Sequence, residues 1–112
     1  PLSSGALTGK YLDGPPPPGS RIALNPSFTR NFKPRGVEAT RRYVDLARAH
    51  GLSPAVMAIA FVNSRDFLTS NIIGATTEQQ LLENLSAEEV TLSEEVLQAI
   101  DEIHADLPNP AP

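Results

Sequence analysis

The chain has no cysteine and no tryptophan, and aromatic residues make up only 5% of its 112 positions. Without cysteine there is no disulfide framework, no thiolate nucleophile and no cysteine-ligated metal centre. Without large aromatics, any core is small and aliphatic, and a unit of this size is already at a surface-to-volume disadvantage. Positive charge is also scarce: 9 Lys and Arg stand against 13 Asp and Glu, for a net charge of −4. That balance gives no basic footprint for nucleic acid. No apolar run approaches the ~20 residues of a membrane span, so no membrane partner is expected. The missing cysteines fit a reducing compartment, and a cytoplasmic location is the expectation.

What is present is concentrated in two short stretches. The first is Pro1-Leu2-Ser3-Ser4-Gly5-Ala6-Leu7-Thr8-Gly9-Lys10-Tyr11. Gly5 and Gly9 permit positive φ or close backbone approach, Ser3, Ser4 and Thr8 offer hydroxyls, and Lys10 offers charge. Leu2 and Leu7 fix such a loop or pack against a ligand. The same residues also describe an ordinary Gly/Ser turn with an exposed lysine. A chain that opens inside a binding loop is expected to be part of something larger. The second stretch runs from Ile72-Ile73-Gly74-Ala75-Thr76-Thr77 to Gln80, Glu83 and Asn84. It reads as a buried strand, a glycine turn and a capped helix start, and a helix N-terminus with free N–H groups attracts phosphate. A plain capping box from Thr77 to Gln80 with solvated polar residues explains the same pattern.

Between these stretches, residues 12–36 are expected to be irregular. The run Pro15-Pro16-Pro17-Pro18 lacks N–H donors and fixes φ. A loop of this length is either functional or a solvated linker. Helical periodicity spans Glu38 to His50, with Val37, Tyr43, Val44, Leu46 and Ala47 on one side and Arg41, Arg42, Asp45 and Arg48 on the other. His50 and Gly51 end that helix. Ser53 and Pro54 start another, apolar around most of its circumference through Arg65. Phe67–Ile73 is expected to be a short parallel strand buried on both faces. Thr77 to Leu85 forms the next helix. Ser93, Glu94 and Glu95 open a last one, with Val96, Leu97, Ile100 and Ile103 on its apolar face. His50, His104, Glu88 and Glu89 read as solvated or helix-end charges rather than catalytic groups. Helices around a buried parallel strand indicate an α/β fold, with both loops at strand C-terminal ends.

These residues resemble the aldo-keto reductase family in its C-terminal third. The opening stretch is similar to the family's S-P-L-x-x-G-x-L-T-G-K-Y loop. Ile72 through Asn84 is similar to its I-x-G-x-x-x-x-x-Q-L-x-E-N segment. The Gly51-Leu52-Ser53-Pro54 link and the Leu92-Ser93-Glu94-Glu95 helix start also match, in the style of the potassium-channel β-subunit and aflatoxin-aldehyde reductase branch. The resemblance implies the last units of a (β/α)₈ TIM barrel, an incomplete barrel over residues 1–112. It implies an NADP(H)-dependent reductase acting on small aldehyde and ketone substrates. The cofactor site implied here comprises Leu2, Ser3, Gly5, Leu7, Thr8, Gly9 and Lys10 around the pyrophosphate. Gly74, Ala75, Thr76 and Thr77 would take the 2′-phosphate, Gln80 that phosphate or the ribose, and Glu83 and Asn84 the adenine. Many relatives carry Lys at the Gly74 position and Arg at the Gln80 position, so this chain lacks two charges that pair with the 2′-phosphate. No residue here matches the family's Tyr, Lys, Asp and His catalytic group. The isolated chain is therefore expected to be inactive, with cofactor binding or a regulatory role as the alternative. Its exposed barrel-facing surface is expected to self-associate.

Overall fold

The computed structural model describes all residues, 1–112. Five α-helices carry the chain: α1 (Arg21–Leu24), α2 (Pro34–Ala49), α3 (Pro54–Asn63), α4 (Glu78–Ser86) and α5 (Glu94–Asp106). Short 3-10 segments cover Ser3–Thr8, Arg30–Phe32 and Ala87–Glu89.

The helix starts follow local chemistry. Ser53, Thr77 and Ser93 each accept a hydrogen bond from a backbone N–H in the first turn of α3, α4 and α5, satisfying donors that have no partner inside the helix. Pro34 and Pro54 occupy first-turn positions, where a missing N–H costs nothing. α2 starts four residues before the expected Glu38, because Pro34 serves as a start signal rather than as part of the irregular loop. It ends at His50 and Gly51, and Gly51 adopts φ 68°.

Helices α2, α3 and α5 enclose the main core: Ala47, Met57, Ala60, Leu92, Val96 and Ile100. Val44 on α2 is fully buried. The buried side of α2 is Gly36, Ala39, Thr40, Val44 and Ala47, while Tyr43 and Leu46 pack at its margin. A second cluster joins Val56 and Ile59 of α3 to Ala87. Arg42 on α2 pairs with Asp106 at the end of α5 at 2.9 Å.

Two expectations are corrected. Residues 12–36 are not wholly irregular: they hold the single turn α1, the Arg30–Phe32 turn and the first turn of α2. More consequentially, Phe67–Ile73 forms no strand, and the structure contains none at all. A strand exists through its ladder, and residues 69–76 make no backbone–backbone hydrogen bond. Side chains hold this segment instead. Asn71 Nδ2 donates to Asn63 Oδ1 at 3.0 Å and to the Ile59 carbonyl at 3.5 Å. Nor is the segment buried on two faces, since Phe67 is 78% and Ile72 is 88% exposed.

Candidate functional site

The opening loop folds on itself. The Leu2 carbonyl accepts from the N–H groups of Gly5 (2.9 Å) and Leu7 (3.3 Å), and the Thr8 hydroxyl donates to the Gly5 carbonyl at 2.7 Å. Ser3, Ser4 and Gly5 follow one another at φ 50°, 59° and 87°. Two serines in the left-handed region represent backbone strain that the surrounding structure holds. Gly9 stands at φ 81°, and a Cβ there would meet both Val44 methyls at 3.2 Å, so the loop lies directly on α2. The Lys10 side chain folds back over the loop: a Cβ on Gly5 would stand 3.1 Å from its Cε and 3.3 Å from its Nζ. The same Nζ lies 5.1 Å from the centre of the Tyr11 ring, which meets Phe32 edge-on at 5.2 Å.

An anchor outside the loop fixes its height. Asn31 Nδ2 donates to the Ser3 carbonyl at 2.9 Å. Asn31 in turn is pressed against Gly36, where a Cβ would approach its carbonyl oxygen to 2.6 Å. Sequence reading missed Asn31. Gly36 marks this close approach only once α2 is seen to start at Pro34, because the sequence places Gly36 in the irregular stretch ahead of the helix.

At the second loop, Gly74, Ala75, Thr76 and Thr77 are exposed ahead of α4. Thr77 Oγ1 accepts from the Gln80 N–H at 3.1 Å. Gln80 Oε1 reaches back and accepts from the Thr76 N–H at 2.9 Å and from the Thr76 hydroxyl at 3.0 Å. Sequence reading paired Gln80 with Thr77 alone; the structure adds Thr76 as its partner. Gln80 is thus an uncharged group lying against the donors at the helix start, as an anionic oxygen would.

Glu83 and Asn84 are placed differently from one another. Asn84 is buried, and its Nδ2 donates to the Gly74 carbonyl at 3.2 Å, tying α4 to its own entry loop. The exposed Glu83 carboxylate accepts from the Ser53 hydroxyl, linking α4 to the cap of α3. Ser53 was read only as a cap; its second role had no sequence signal, because the two residues lie thirty positions apart.

The two loops share one foundation. Leu2, at the root of the first, and Ile73, at the root of the second, both pack on the Val56, Ile59 and Ala87 cluster. Beside the first loop, Pro1, Leu7, Tyr43, Pro54, Met57, Ala58, Phe61, Val62 and Ile100 line an apolar groove of about 210 Å³. The Tyr43 phenol is pushed above its ordinary range, chiefly by burial; Arg42 pulls it down, and Asp101 adds to the rise. His50, His104, Glu88, Glu89, Glu94 and Glu95 gather into no cluster fit for a metal ion. No helix is long and apolar enough to cross a membrane.

Comparison with known proteins gives this geometry a context. Residues 1–105 match the model of the Aldo/keto reductase family. The chain is 46% identical to "Protein tas" of Escherichia coli (strain K12) over 111 residues, covering 99% of this chain and 32% of that protein. It is 40% identical to "Probable voltage-gated potassium channel subunit beta" of Oryza sativa subsp. japonica, covering 92% of this chain and 33% of that protein. It is 36% identical to "L-glyceraldehyde 3-phosphate reductase" of Escherichia coli (strain K12), covering 95% of this chain and 32% of that enzyme. The chain spans about a third of the length of these relatives. With nearly its whole length matched, it belongs to the aldo/keto reductase family.

Proposed function

We propose that this chain supplies much of the NADP(H)-binding part of an aldo-keto reductase of the (β/α)₈ barrel type, located in the cytoplasm and acting on small carbonyl substrates. The observation that carries the reading is the convergence of both loops on one apolar cluster through Leu2 and Ile73. Two donor-rich loops rooted side by side can hold two ends of one extended anionic ligand.

The residues present fit such a group. The exposed Lys10 ammonium lies over the Gly5 backbone, where it can neutralise a pyrophosphate oxygen. The hydroxyls of Ser3 and Thr8 stand in the same loop. At the second loop, the N–H groups of Thr77, Glu78 and Gln79 at the start of α4 donate to no other group and form a donor set for a phosphate. Gly74 has nothing within 4 Å of its would-be Cβ, so backbone approach is open on that side. Bound nicotinamide cofactor would supply the hydride for carbonyl reduction. This chain's own part is to grip the phosphates and orient the cofactor. Gln80 holds Thr76 in place while carrying no charge that favours the 2′-phosphate, so the preference for NADPH over NADH rests on the second loop's uncharged donors and is modest.

The alternative is a non-catalytic NADP(H)-binding or regulatory role. It draws support from the core that α2, α3 and α5 close by themselves. In either reading the isolated chain does not turn over substrate. It also self-associates through the exposed Phe67, Ile72, Leu82 and Leu85.

The test is a fluorescence titration of the purified chain with NADPH and with NADH. Saturable binding that favours NADPH is expected, and Lys10→Met should weaken it by about threefold to tenfold through loss of one charge contact. Binding that is equal in wild type and Lys10→Met would remove the first loop from the site.

A further inference from the structure

Among the five aspartates only Asp13 is followed by glycine; Asp45, Asp66, Asp101 and Asp106 precede Leu, Phe, Glu and Leu. The Asp13-Gly14 pair lies at the base of the proline-rich loop, and both residues are exposed. The Gly14 N–H donates to no backbone carbonyl and to no side chain. Between the Leu12 N–H bond to Gly9 and the Ser20 N–H bond to Pro17, no backbone N–H is engaged. A Cβ on Gly14 would meet nothing within 4 Å. One restraint acts on the pair: Arg41 on α2 holds Asp13 Oδ1 at 3.2 Å through one guanidinium nitrogen and the Leu12 carbonyl at 3.3 Å through the other.

We propose that Asp13-Gly14 is a site of spontaneous covalent modification, an aspartate-to-isoaspartate isomerisation gated by Arg41. The Gly14 amide nitrogen, losing its proton, attacks Cγ of the protonated Asp13 carboxyl. A C–N bond forms, the carboxyl OH leaves as water, and a five-membered succinimide closes. One water then opens the ring. Opening at Cγ restores aspartate. Opening at the Asp13 main-chain carbonyl leaves the chain running through Cβ and Cγ. Water lost equals water gained, and nothing is oxidised or reduced.

Local structure favours the closure. An unengaged N–H carries no hydrogen bond that must first break, and glycine gives the backbone the freedom the ring requires. The carboxyl group must leave the Arg41 ion pair and take up a proton before its OH can depart. Both partners of that pair are more than half or nearly half exposed, 67% for Asp13 and 49% for Arg41, so the restraint is weak. The product carries one extra methylene in the main chain and a displaced carboxylate. It therefore loses the carboxylate half of the tether to α2 and keeps only the bond from Arg41 to the Leu12 carbonyl.

The experiment incubates the purified chain in warm, mildly acidic buffer. It then quantifies isoaspartate residue by residue, using peptide separation with electron-transfer fragmentation. Isoaspartate is expected to accumulate at position 13 ahead of positions 45, 66, 101 and 106. Gly14→Ala is expected to slow it about tenfold, because a side chain hinders the backbone rotation that closes the ring. Arg41→Gln is expected to speed it by about twofold to threefold, the scale of a weak exposed ion pair. Asp13→Glu, which would need a six-membered ring, serves as the unreactive control. All three positions are exposed, and circular dichroism verifies that each variant keeps the wild-type helix content. Isoaspartate at position 13 no faster than at the other aspartates, or an unchanged rate in Gly14→Ala, overturns the site. An unchanged rate in Arg41→Gln overturns the gate.

Discussion

A Cβ placed on Gly36 would lie 2.6 Å from the Asn31 carbonyl oxygen, a backbone atom that cannot swing aside. Asn31 is also the residue that holds the Ser3 carbonyl. Gly36→Ala is therefore expected to destabilise the chain by about 1–3 kcal/mol, the range for overpacking a closed site, despite alanine's better helix propensity. Thermal unfolding measures the loss, and an unchanged or raised midpoint would show that Asn31 gives way freely. At this scale the sequence was only partly legible. Gly5 and Gly9 were read correctly as backbone-permissive, and both adopt positive φ. Of the capping box expected from Thr77 to Gln80, the Thr77 half forms, and the Gln80 side chain accepts from Thr76 in place of Thr77. The buried position of Asn84 and the Ser53–Glu83 bond were not legible, because a polar side chain's partner depends on which element folds over it.

At the scale of elements, helix starts were the most readable feature, since caps and first-turn prolines act within four residues. The strand was the least readable. β-Branched and apolar residues at 67–73 state a preference that only neighbouring strands can realise, and residues 69–76 have no ladder partner here. The α2–α5 seam makes a pH-dependent prediction. Tyr43 lies there with its phenol held above the ordinary range, chiefly by burial. Below about pH 10 the phenol is neutral both folded and unfolded, so its full contribution is present. As pH rises through the unfolded value, the unfolded chain releases its proton first, and stability falls until the folded phenol ionises as well. Denaturant midpoints should therefore drop above about pH 10, and less so in Tyr43→Phe. Equal alkaline slopes in the two proteins would count against the burial of this phenol.

Over the whole molecule, apolar surface is unevenly distributed. The α2–α3–α5 side buries most of its apolar residues around one groove, whereas Phe67, Leu68, Ile72, Leu81, Leu82 and Leu85 remain exposed on the side of α4 and its entry loop. The chain covers about a third of its relatives' length, and such a face invites association. Sedimentation should show a mass that rises with concentration, and Leu82→Lys with Leu85→Lys should lower it towards the monomer. A monomer at all concentrations would show that the face is tolerated by water. Family membership was legible from two loop motifs at their spacing and stands confirmed over residues 1–105.

In the proposed arrangement, Ser3–Lys10 and Gly74–Gln80 form one cofactor-binding surface on the Val56–Ile59–Ala87 cluster. Amide chemical-shift mapping of the isotope-labelled chain during NADPH addition tests it most directly. Shifts in both stretches are expected to follow a single binding curve. Shifts confined to one stretch, two different curves, or no saturable shift in either would contradict it.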